Sequence, residues 1–258
     1  MQIIPVIDIR NGAVMRARAG DRISYKPISS PLAATSAPAD VVAGFMTVHR
    51  FEKMYVADLD AIEGNGDNRR DIRALTECFP ALRFMIDAGA KSCDWRGVPR
   101  IDCVIGSETL CDGESMAVAK DDPDVILSLD FRDDVFLGPP ALIDCERLWP
   151  HRVIVMTLTR VGVRAGPDFD RLANIIARAG DRRVYAAGGV RDGRDLARLE
   201  AIGAAGALIA TALHDGSLTR ADLDRFTPEQ KKGSPEAPLA PSASDLPPLS
   251  WRQRDVSR

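Results

Sequence analysis

Aromatic residues are scarce in this chain of 258 residues, at 5%, although hydrophobic residues make up 45%. A core with few rings must be built mainly from Ala, Val, Ile and Leu, the composition typical of buried parallel strands. The chain also lacks an excess of positive charge, because its formal net charge is −3 at pH 7. Such a chain has no general attraction to nucleic acid or to an anionic membrane, so we expect neither partner.

Motifs for metals, disulfides and membranes are also missing. The five cysteines are odd in number and form no Cys-x-x-Cys pair, and the three histidines are isolated. This scatter argues for reduced thiols and against a disulfide framework or a metal site. No apolar run reaches the roughly 18 residues of a membrane-spanning helix, and no basic segment precedes the first run. We therefore expect a soluble, cytoplasmic protein without a metal.

Short apolar runs recur along most of the chain and predict strands. They lie near residues 2–8, 53–59, 83–87, 102–106, 125–130, 152–157, 183–188 and 206–210. Stretches with helical spacing lie between several of them, for example 170–179 and 192–202, with a shorter one after Gly113. Alternating strands and helices predict a parallel sheet, and eight units in about 225 residues fit a single (β/α)8 TIM barrel. A doubly wound open sheet explains the alternation equally well.

An internal repeat favours the barrel over the open sheet. Asp8 and Asp130 end similar apolar runs that lie 122 residues apart. Two further pairs of segments align, 83–91 with 183–191 and 104–107 with 208–211. A half-barrel that occurs twice makes a pseudo-twofold pocket, in which each half holds one end of an elongated substrate.

Asp8 and Asp130 are the candidate catalytic residues. The carboxyl ends of barrel strands surround the substrate, so two acids there converge on one small molecule as general acid and general base. The alternative is that each aspartate caps a following turn, because Asp commonly ends strands and begins loops. The matched pair favours catalysis.

A glycine pair after the seventh predicted strand is the strongest local motif. Gly188 and Gly189 let backbone amides approach an anion closely, and a short helix after the eighth strand adds partial positive charge. Barrel enzymes often bind phosphate at this place. We therefore predict that Gly188, Gly189, Ala210 and Thr211 bind the phosphate of a small phosphorylated substrate. A tight turn that requires glycine only for its backbone angles is the alternative.

The first half has a weaker counterpart of this loop. Gly106 and Ser107 align with the segment 210–211 and are candidate phosphate ligands for that reason. In the segment 87–91, however, one glycine is missing and Asp87 is present. We expect this half to hold a second phosphate less well.

Several segments carry a family resemblance: 4–12, 57–61, 188–189 and 203–206. Together with the paired Asp8 and Asp130, they resemble the barrel isomerase and cyclase of histidine biosynthesis, over about residues 1–226. In that family the isomerase performs an Amadori rearrangement of a ribosylamine phosphate without a cofactor. The resemblance implies that Asp8 is the base at the second sugar carbon and Asp130 the acid at the ring oxygen.

Two departures argue against assigning histidine biosynthesis. A full glycine loop is present in only one half, and Val161 stands where that family usually has an acid. Other segments look like a separate, isomerase-related branch of methanogens and methylotrophic bacteria: 19–28, 55–62, 86–89 and 105–110. Members of this branch accompany genes for one-carbon carriers.

The branch resemblance implies a cofactor-free ketol isomerase that acts on a phosphorylated ribosyl compound, in tetrahydromethanopterin or methanofuran biosynthesis. Three alternatives remain open. They are the histidine-pathway isomerase itself, a lyase or synthase, and a non-catalytic phosphate-binding or scaffold protein. The lyase or synthase would need a different set of acids or a Schiff-base lysine, for which Lys91 is the candidate.

The remaining candidates are weaker. Substrate contacts are predicted for five polar residues: Asp58, Thr157, Arg22, Tyr25 and Lys26. The last three lie on a polar stretch after the first strand, which we expect to form a loop over the barrel mouth, with plain surface charge as the alternative. Residues 227–258 are rich in Pro and Ser, so we predict a tail that is disordered or wraps the surface. The sequence does not determine the oligomeric state.

Overall fold

The computed structural model describes residues 1–110, 116 and 119–226. Within them, eight parallel strands pair in sequence order into one sheet: Gln2–Arg10, Lys53–Asp58, Arg83–Asp87, Ile101–Gly106, Val125–Arg132, Arg152–Thr157, Arg183–Ala187 and Gly206–Ile209. The first strand also pairs with the eighth, from Gln2 with Gly206 onwards, and this pairing closes the barrel. The predicted (β/α)8 barrel is thereby confirmed. The predicted tail and the helix after Gly113 lie outside the described residues.

Helices follow the strands and cover the outside of the barrel. The described α-helices are Pro38–Val48, Leu59–Ile62, Arg69–Cys78, Pro140–Asp144, Phe169–Ala179, Gly193–Ala201, Thr211–His214 and Arg220–Asp224. Local chemistry sets their ends: the side chain of Asp168 accepts the Arg171 N–H at the start of one helix, and Gly180 with φ +64° follows its last turn. None of the described helices is long and apolar enough to cross a membrane.

Alternate residues of each strand belong to two separate apolar clusters. Those inside the barrel include Ile4, Tyr55, Met85, Val104, Ile126, Ile154, Tyr185 and Leu208. Their sequence neighbours, such as Val56 and Ile86, pack outside against the helices. Successive side chains of a strand point to opposite faces. The alternation of inward-facing and outward-facing residues therefore decides which residues near a strand end can reach the pocket.

A buried ion-pair network closes the amino-terminal end of the interior. The carboxylate of Asp102, 0% exposed, accepts hydrogen bonds from both Arg152 and Arg83. These charges leave the opposite, carboxyl-terminal end of the barrel as the open mouth.

The half-barrel duplication is visible in the backbone. The first and fifth barrel strands each continue into an antiparallel hairpin, whose second strands are Ala13–Arg16 and Val135–Leu137. Both hairpins turn through a non-glycine residue in the left-handed region, Asn11 with φ 50° and Asp133 with φ 51°. The two halves therefore share irregular backbone features as well as the strand order.

Candidate active site

A pocket opens at the carboxyl ends of the barrel strands, and every barrel strand or the loop that follows it contributes to its wall. Its polar lining consists of Asp8, Arg22, Tyr25, Tyr55, Asp87, Glu108, Asp130, Arg164 and Thr211. Apolar side chains fill the space between them, including Val6, Leu59, Ile62, Met156 and Val161. Four carboxyl groups therefore share a wall that is otherwise largely apolar.

Asp8 projects into this pocket from the first barrel strand, in the same phase as Ile4 and Val6. Its carboxylate makes no hydrogen bond with any described residue. Burial raises the pKa of Asp8 to about 7; the charge of Arg22 opposes this rise and that of Asp87 adds to it. Asp8 is thus divided between acid and base forms near neutral pH.

Asp130 occupies the equivalent place on the fifth strand but has a different environment. Its side chain is 5% exposed and accepts hydrogen bonds from the Ser128 hydroxyl at 2.6 Å and the Glu108 N–H at 3.2 Å. Burial raises the pKa of Asp130 to about 8, although the Ser128 hydrogen bond opposes the rise. Asp130 is therefore mostly protonated at neutral pH, as a general acid must be.

A third acid, Asp87, lies beside Asp130. A Cβ atom added to Gly106 would be 3.2 Å from the Asp130 Oδ2 and 3.7 Å from the Asp87 Oδ2. The Asp87 carboxylate accepts hydrogen bonds from the Tyr55 hydroxyl at 2.9 Å and the Gly89 N–H at 3.1 Å. Burial raises the pKa of Asp87 to about 6, and these hydrogen bonds limit the rise. Gly106 therefore leaves room for two acids rather than presenting a free anion cradle.

Arg22 brings the loop after the first strand across the mouth. Its guanidinium forms an ion pair with Glu108 on the opposite side, while its carbonyl accepts a hydrogen bond from Arg10 at 2.8 Å. Tyr25 lines the pocket from the same loop, and burial raises its pKa to about 12. The predicted loop over the mouth thus contributes Arg22 and Tyr25 to the pocket wall.

The glycine pair lies at the other side of the pocket. Gly188 has φ +100°, and a Cβ there would be 2.6 Å from the Thr157 carbonyl oxygen; Gly189 has φ +89°, and its Cβ would be 2.3 Å from the Gly166 carbonyl oxygen. Glycine is therefore required for backbone packing at both positions. Both residues also line the pocket together with Ala210 and Thr211, so a tight turn and an anion cradle are compatible.

One positive charge is held near this glycine pair. Arg164 lines the pocket, and its guanidinium donates hydrogen bonds to Asp215 at 2.7 Å and to the Ser217 hydroxyl at 2.8 Å. Both acceptors follow the short helix Thr211–His214. Arg164 is thereby tied to the loop after the eighth strand, where phosphate is predicted.

The structure does not bring all the predicted residues to the pocket. Asp58 follows Ala57, which faces inward; its own side chain points outward and accepts hydrogen bonds from the Ala61 and Asn68 N–H groups. Thr157 likewise follows the inward-facing Met156.

Lys26 and Ser107 do not line the pocket either. Lys26 is an exposed residue of a short edge strand and does not line the pocket. Ser107 is fully buried: its hydroxyl donates to the Leu137 carbonyl at 2.6 Å and accepts the Asp130 N–H at 2.9 Å. Its hydroxyl is thus engaged by the protein itself.

Four polar pocket residues were not among the sequence-based candidates: Tyr55, Asp87, Glu108 and Arg164. Asp87 ends a predicted strand in the phase of Met85, so strand phase would have identified it. Glu108 and Arg164 lie in loops, where periodicity gives no direction. Among the described residues, no group of three His, Cys, Asp or Glu side chains is arranged to hold a metal ion.

Comparison with known proteins adds the family to this geometry. The sequence profile of the family described as "Histidine biosynthesis protein" matches residues 2–219. The chain belongs to this family. The resemblance seen in the sequence is therefore confirmed.

Individual relatives of this family member are distant. An uncharacterized protein of Methanocaldococcus jannaschii is 28% identical over 226 residues, which cover 84% of this chain and 95% of the relative. Phosphoribosyl isomerase A of Streptomyces coelicolor is 27% identical over 240 residues, covering 85% and 95%. An imidazole-4-carboxamide isomerase of Myxococcus xanthus, whose name specifies a phosphoribosyl and a phosphoribosylamino group, is 29% identical over 248 residues, covering 87% and 98%.

Proposed function

We propose that this protein is a cofactor-free ketol isomerase whose substrate is a ribosyl compound with a single phosphate. The observation that carries the proposal is that Asp8 and Asp130 line one pocket, where their pKa values are raised to about 7 and about 8. A base and an acid with pKa values near neutral pH suit a reaction that moves protons without a metal.

The proposed reaction divides the work between the two acids. Asp130 protonates the ring oxygen of the sugar, and the bond from that oxygen to the first sugar carbon breaks with its electron pair going to the oxygen. A nitrogen on the substrate that donates electrons to the first carbon stabilises the cation. Asp8 then removes the proton from the second carbon, which gives an enol.

The enol collapses to the product ketone. The proton on Asp8 passes to the first carbon, the enol hydroxyl releases its proton to solvent, and Asp130 is reprotonated from solvent. Substrate and product have the same atoms and the same oxidation level overall. The reaction therefore consumes no oxidant or reductant, which fits a pocket lined by carboxyl, phenol and apolar groups.

The single phosphate would lie at Gly188, Gly189 and Thr211. The Gly189 and Thr211 N–H groups have no acceptor among the hydrogen bonds of the described residues, and Arg164 adds a positive charge nearby. Backbone amides and an arginine are the groups that commonly hold a phosphate.

For the pathway we propose tetrahydromethanopterin biosynthesis, with methanofuran biosynthesis as the second choice. The precursor of tetrahydromethanopterin joins an aminophenyl group by carbon to a ribofuranose phosphate, and the sugar ends as an open chain. Its para amine can donate electrons to the first sugar carbon, as the reaction requires. The relative in Methanocaldococcus jannaschii agrees with the likeness to a branch present in methanogens.

The other functions have less support from the pocket. The histidine-pathway isomerase acts on a compound with two phosphoribosyl groups, as the name of the Myxococcus xanthus relative specifies, and only one half here has the glycine pair. A Schiff-base lyase would need Lys91, whose amine lies outside the pocket and donates to the Gly66 carbonyl at 3.0 Å. A scaffold role gives no reason for four carboxyl groups in one pocket.

The test is mass spectrometry of phosphorylated intermediates in cells that carry Asp8→Asn in place of the normal protein. Cells with Asp181→Asn are the matched control, because Asp181 is exposed and lies at the opposite end of the barrel. We expect one ribosyl monophosphate to accumulate only in the Asp8→Asn cells. Unchanged intermediates together with normal growth would refute the isomerase and favour a binding role.

A further inference from the structure

The pocket has two ends. The first-half end, near Asp87 and Glu108, differs chemically from the second-half end, near Gly189 and Thr211, although the two half-barrels share one backbone plan. In the second half, Gly189 lies in the loop after strand seven and Thr211 begins the short helix after strand eight. The aligned residues in the first half are Gly89 and Ser107. A second phosphate, if the substrate had one, would have to bind at those aligned positions.

Side-chain carboxylates already occupy the amides there. The Gly89 N–H donates to the Asp87 carboxylate at 3.1 Å, and the Glu108 N–H donates to Asp130 at 3.2 Å. The Ser107 hydroxyl is buried and fully engaged by Leu137 and Asp130. The Gly89 and Glu108 amides and the Ser107 hydroxyl of this half are therefore already engaged by groups of the protein itself.

The charge of this end opposes an anion as well. Asp87, Asp130 and Glu108 all line it, and Arg22, the cation that faces them, is already paired with Glu108. Among the described residues that line this end, an incoming phosphate would meet two further carboxyl groups and no unpaired cation. A substrate group that donates hydrogen bonds would instead meet acceptors, and the apolar side chains of Leu59 and Ile62 would pack against its carbon frame.

We infer that the first-half end of the pocket rejects a second phosphate and selects an amine on an apolar or aromatic frame, with Asp87 as the specificity-determining acceptor. This inference rests on the proposed function, since it assigns the two ends of one substrate to the two halves. Glu108 adds a second carboxylate to this end and pairs with Arg22, whose charge also acts on Asp87.

Titration calorimetry with two matched probes tests the inference. The first probe is aminophenyl ribofuranose 5-phosphate, and the second is the phenyl analogue without the amine. All proteins carry Asp8→Asn, so that no turnover disturbs the titration. We expect the Asp8→Asn protein to bind the amine probe about tenfold or more tightly than the phenyl probe, the range of a hydrogen bond to a charged acceptor.

Adding Asp87→Asn should bring the two dissociation constants within about threefold of each other, mainly by weakening the amine probe. Adding Asp181→Asn instead removes the same charge far from the pocket and should leave the preference intact. Equal binding of the probes by the Asp8→Asn protein would overturn the inference, and so would a preference that survives both Asp87→Asn and Glu108→Gln.

Titration with inorganic phosphate independently counts the phosphate sites of the pocket. One phosphate per barrel is expected, and two equivalent sites would overturn the inference. These binding results are separate from turnover of the amine probe by the unmodified protein. If the probe preference holds but no turnover occurs, the proposed reaction fails while the assignment of the pocket ends stands.

Discussion

Asp8 and Asp130 occupy the same backbone position in the two half-barrels but have different environments. Asp8 pairs with Met15 across the first hairpin, and Asp130 pairs with Leu137 across the second, in identical register. The Asp130 carboxylate is held by Ser128 and the Glu108 amide, whereas that of Asp8 has no hydrogen bond from a described residue. The two carboxyl groups are thus equivalent in backbone position, and their different surroundings give them different pKa values, about 7 for Asp8 and about 8 for Asp130.

The first prediction concerns the two aspartates separately. Asp8→Asn and Asp130→Asn should each lower kcat by about a thousandfold, because general acid–base groups typically contribute ~10²–10⁴. Binding of the substrate should change much less, which the dissociation constant measured by calorimetry checks. Asp181→Asn is the control for net charge. If either variant retained more than about a tenth of the normal kcat, that residue would not carry a proton in the reaction.

The pH dependence of kcat/KM should be bell-shaped. Asp8 must be ionised to act as a base, so the rate rises as the pH passes about 7; Asp130 must be protonated, so the rate falls as the pH passes about 8. The profile of the free enzyme should therefore peak in this narrow interval. A rate that is constant from pH 5 to about 9 would be incompatible with this pair of groups.

The raised pKa of Asp8 also predicts a stability effect. In the unfolded chain its pKa is near 4, and in the folded protein it is about 7. The folded state thus retains a proton that the unfolded state releases, and stability is lost as the pH rises through this window. Asp8→Asn removes the loss.

The measurement for this effect is Tm by calorimetry at two pH values. The Tm of Asp8→Asn relative to the normal protein should increase by about 3 °C or more between pH 5 and pH 8. Asp181→Asn should show no such change, because its side chain is exposed. A pH-independent difference would mean that burial of Asp8 does not disfavour its charge.

The glycine pair allows a matched test of packing. Gly189 and Gly216 both have positive φ, but a Cβ at Gly189 would lie 2.3 Å from the Gly166 carbonyl oxygen, whereas at Gly216 it would meet no atom within 4 Å. Gly189→Ala should cost about 3 kcal/mol or more of unfolding free energy, and Gly216→Ala about 1 kcal/mol. Urea unfolding measures both values. Equal costs would show that φ alone, and not the close approach of the loop, requires glycine.

Much of this fold could be predicted from the sequence because its signals are local. Each barrel strand is a short apolar run between polar segments, and all eight predicted runs correspond to strands in the structure. The repeat of Asp8 and Asp130 carried information about distant parts of the chain, because duplication copied one half-barrel into the other.

The site could be predicted only in part, for two physical reasons. Neighbouring residues of a strand point to opposite faces, so an error of one residue selects a side chain on the wrong face. For this reason Asp58 and Thr157 were candidates, although Ala57 and Met156 are the residues that face the pocket. The other reason is that loop contacts are non-local. The pairing of Arg22 with Glu108 depends on how two loops meet across the mouth, and no periodicity encodes that meeting.

Conversion of aminophenyl ribofuranose 5-phosphate by the purified protein is the decisive measurement for the proposed isomerase. After incubation, the mixture is reduced with sodium borodeuteride and examined by mass spectrometry, because an open ketose takes up deuterium and the closed furanose does not. We expect a deuterated open-chain polyol phosphate with the normal protein and none with Asp8→Asn. Recovery of only the unchanged furanose, from a protein shown by calorimetry to bind it, would refute the isomerase reaction.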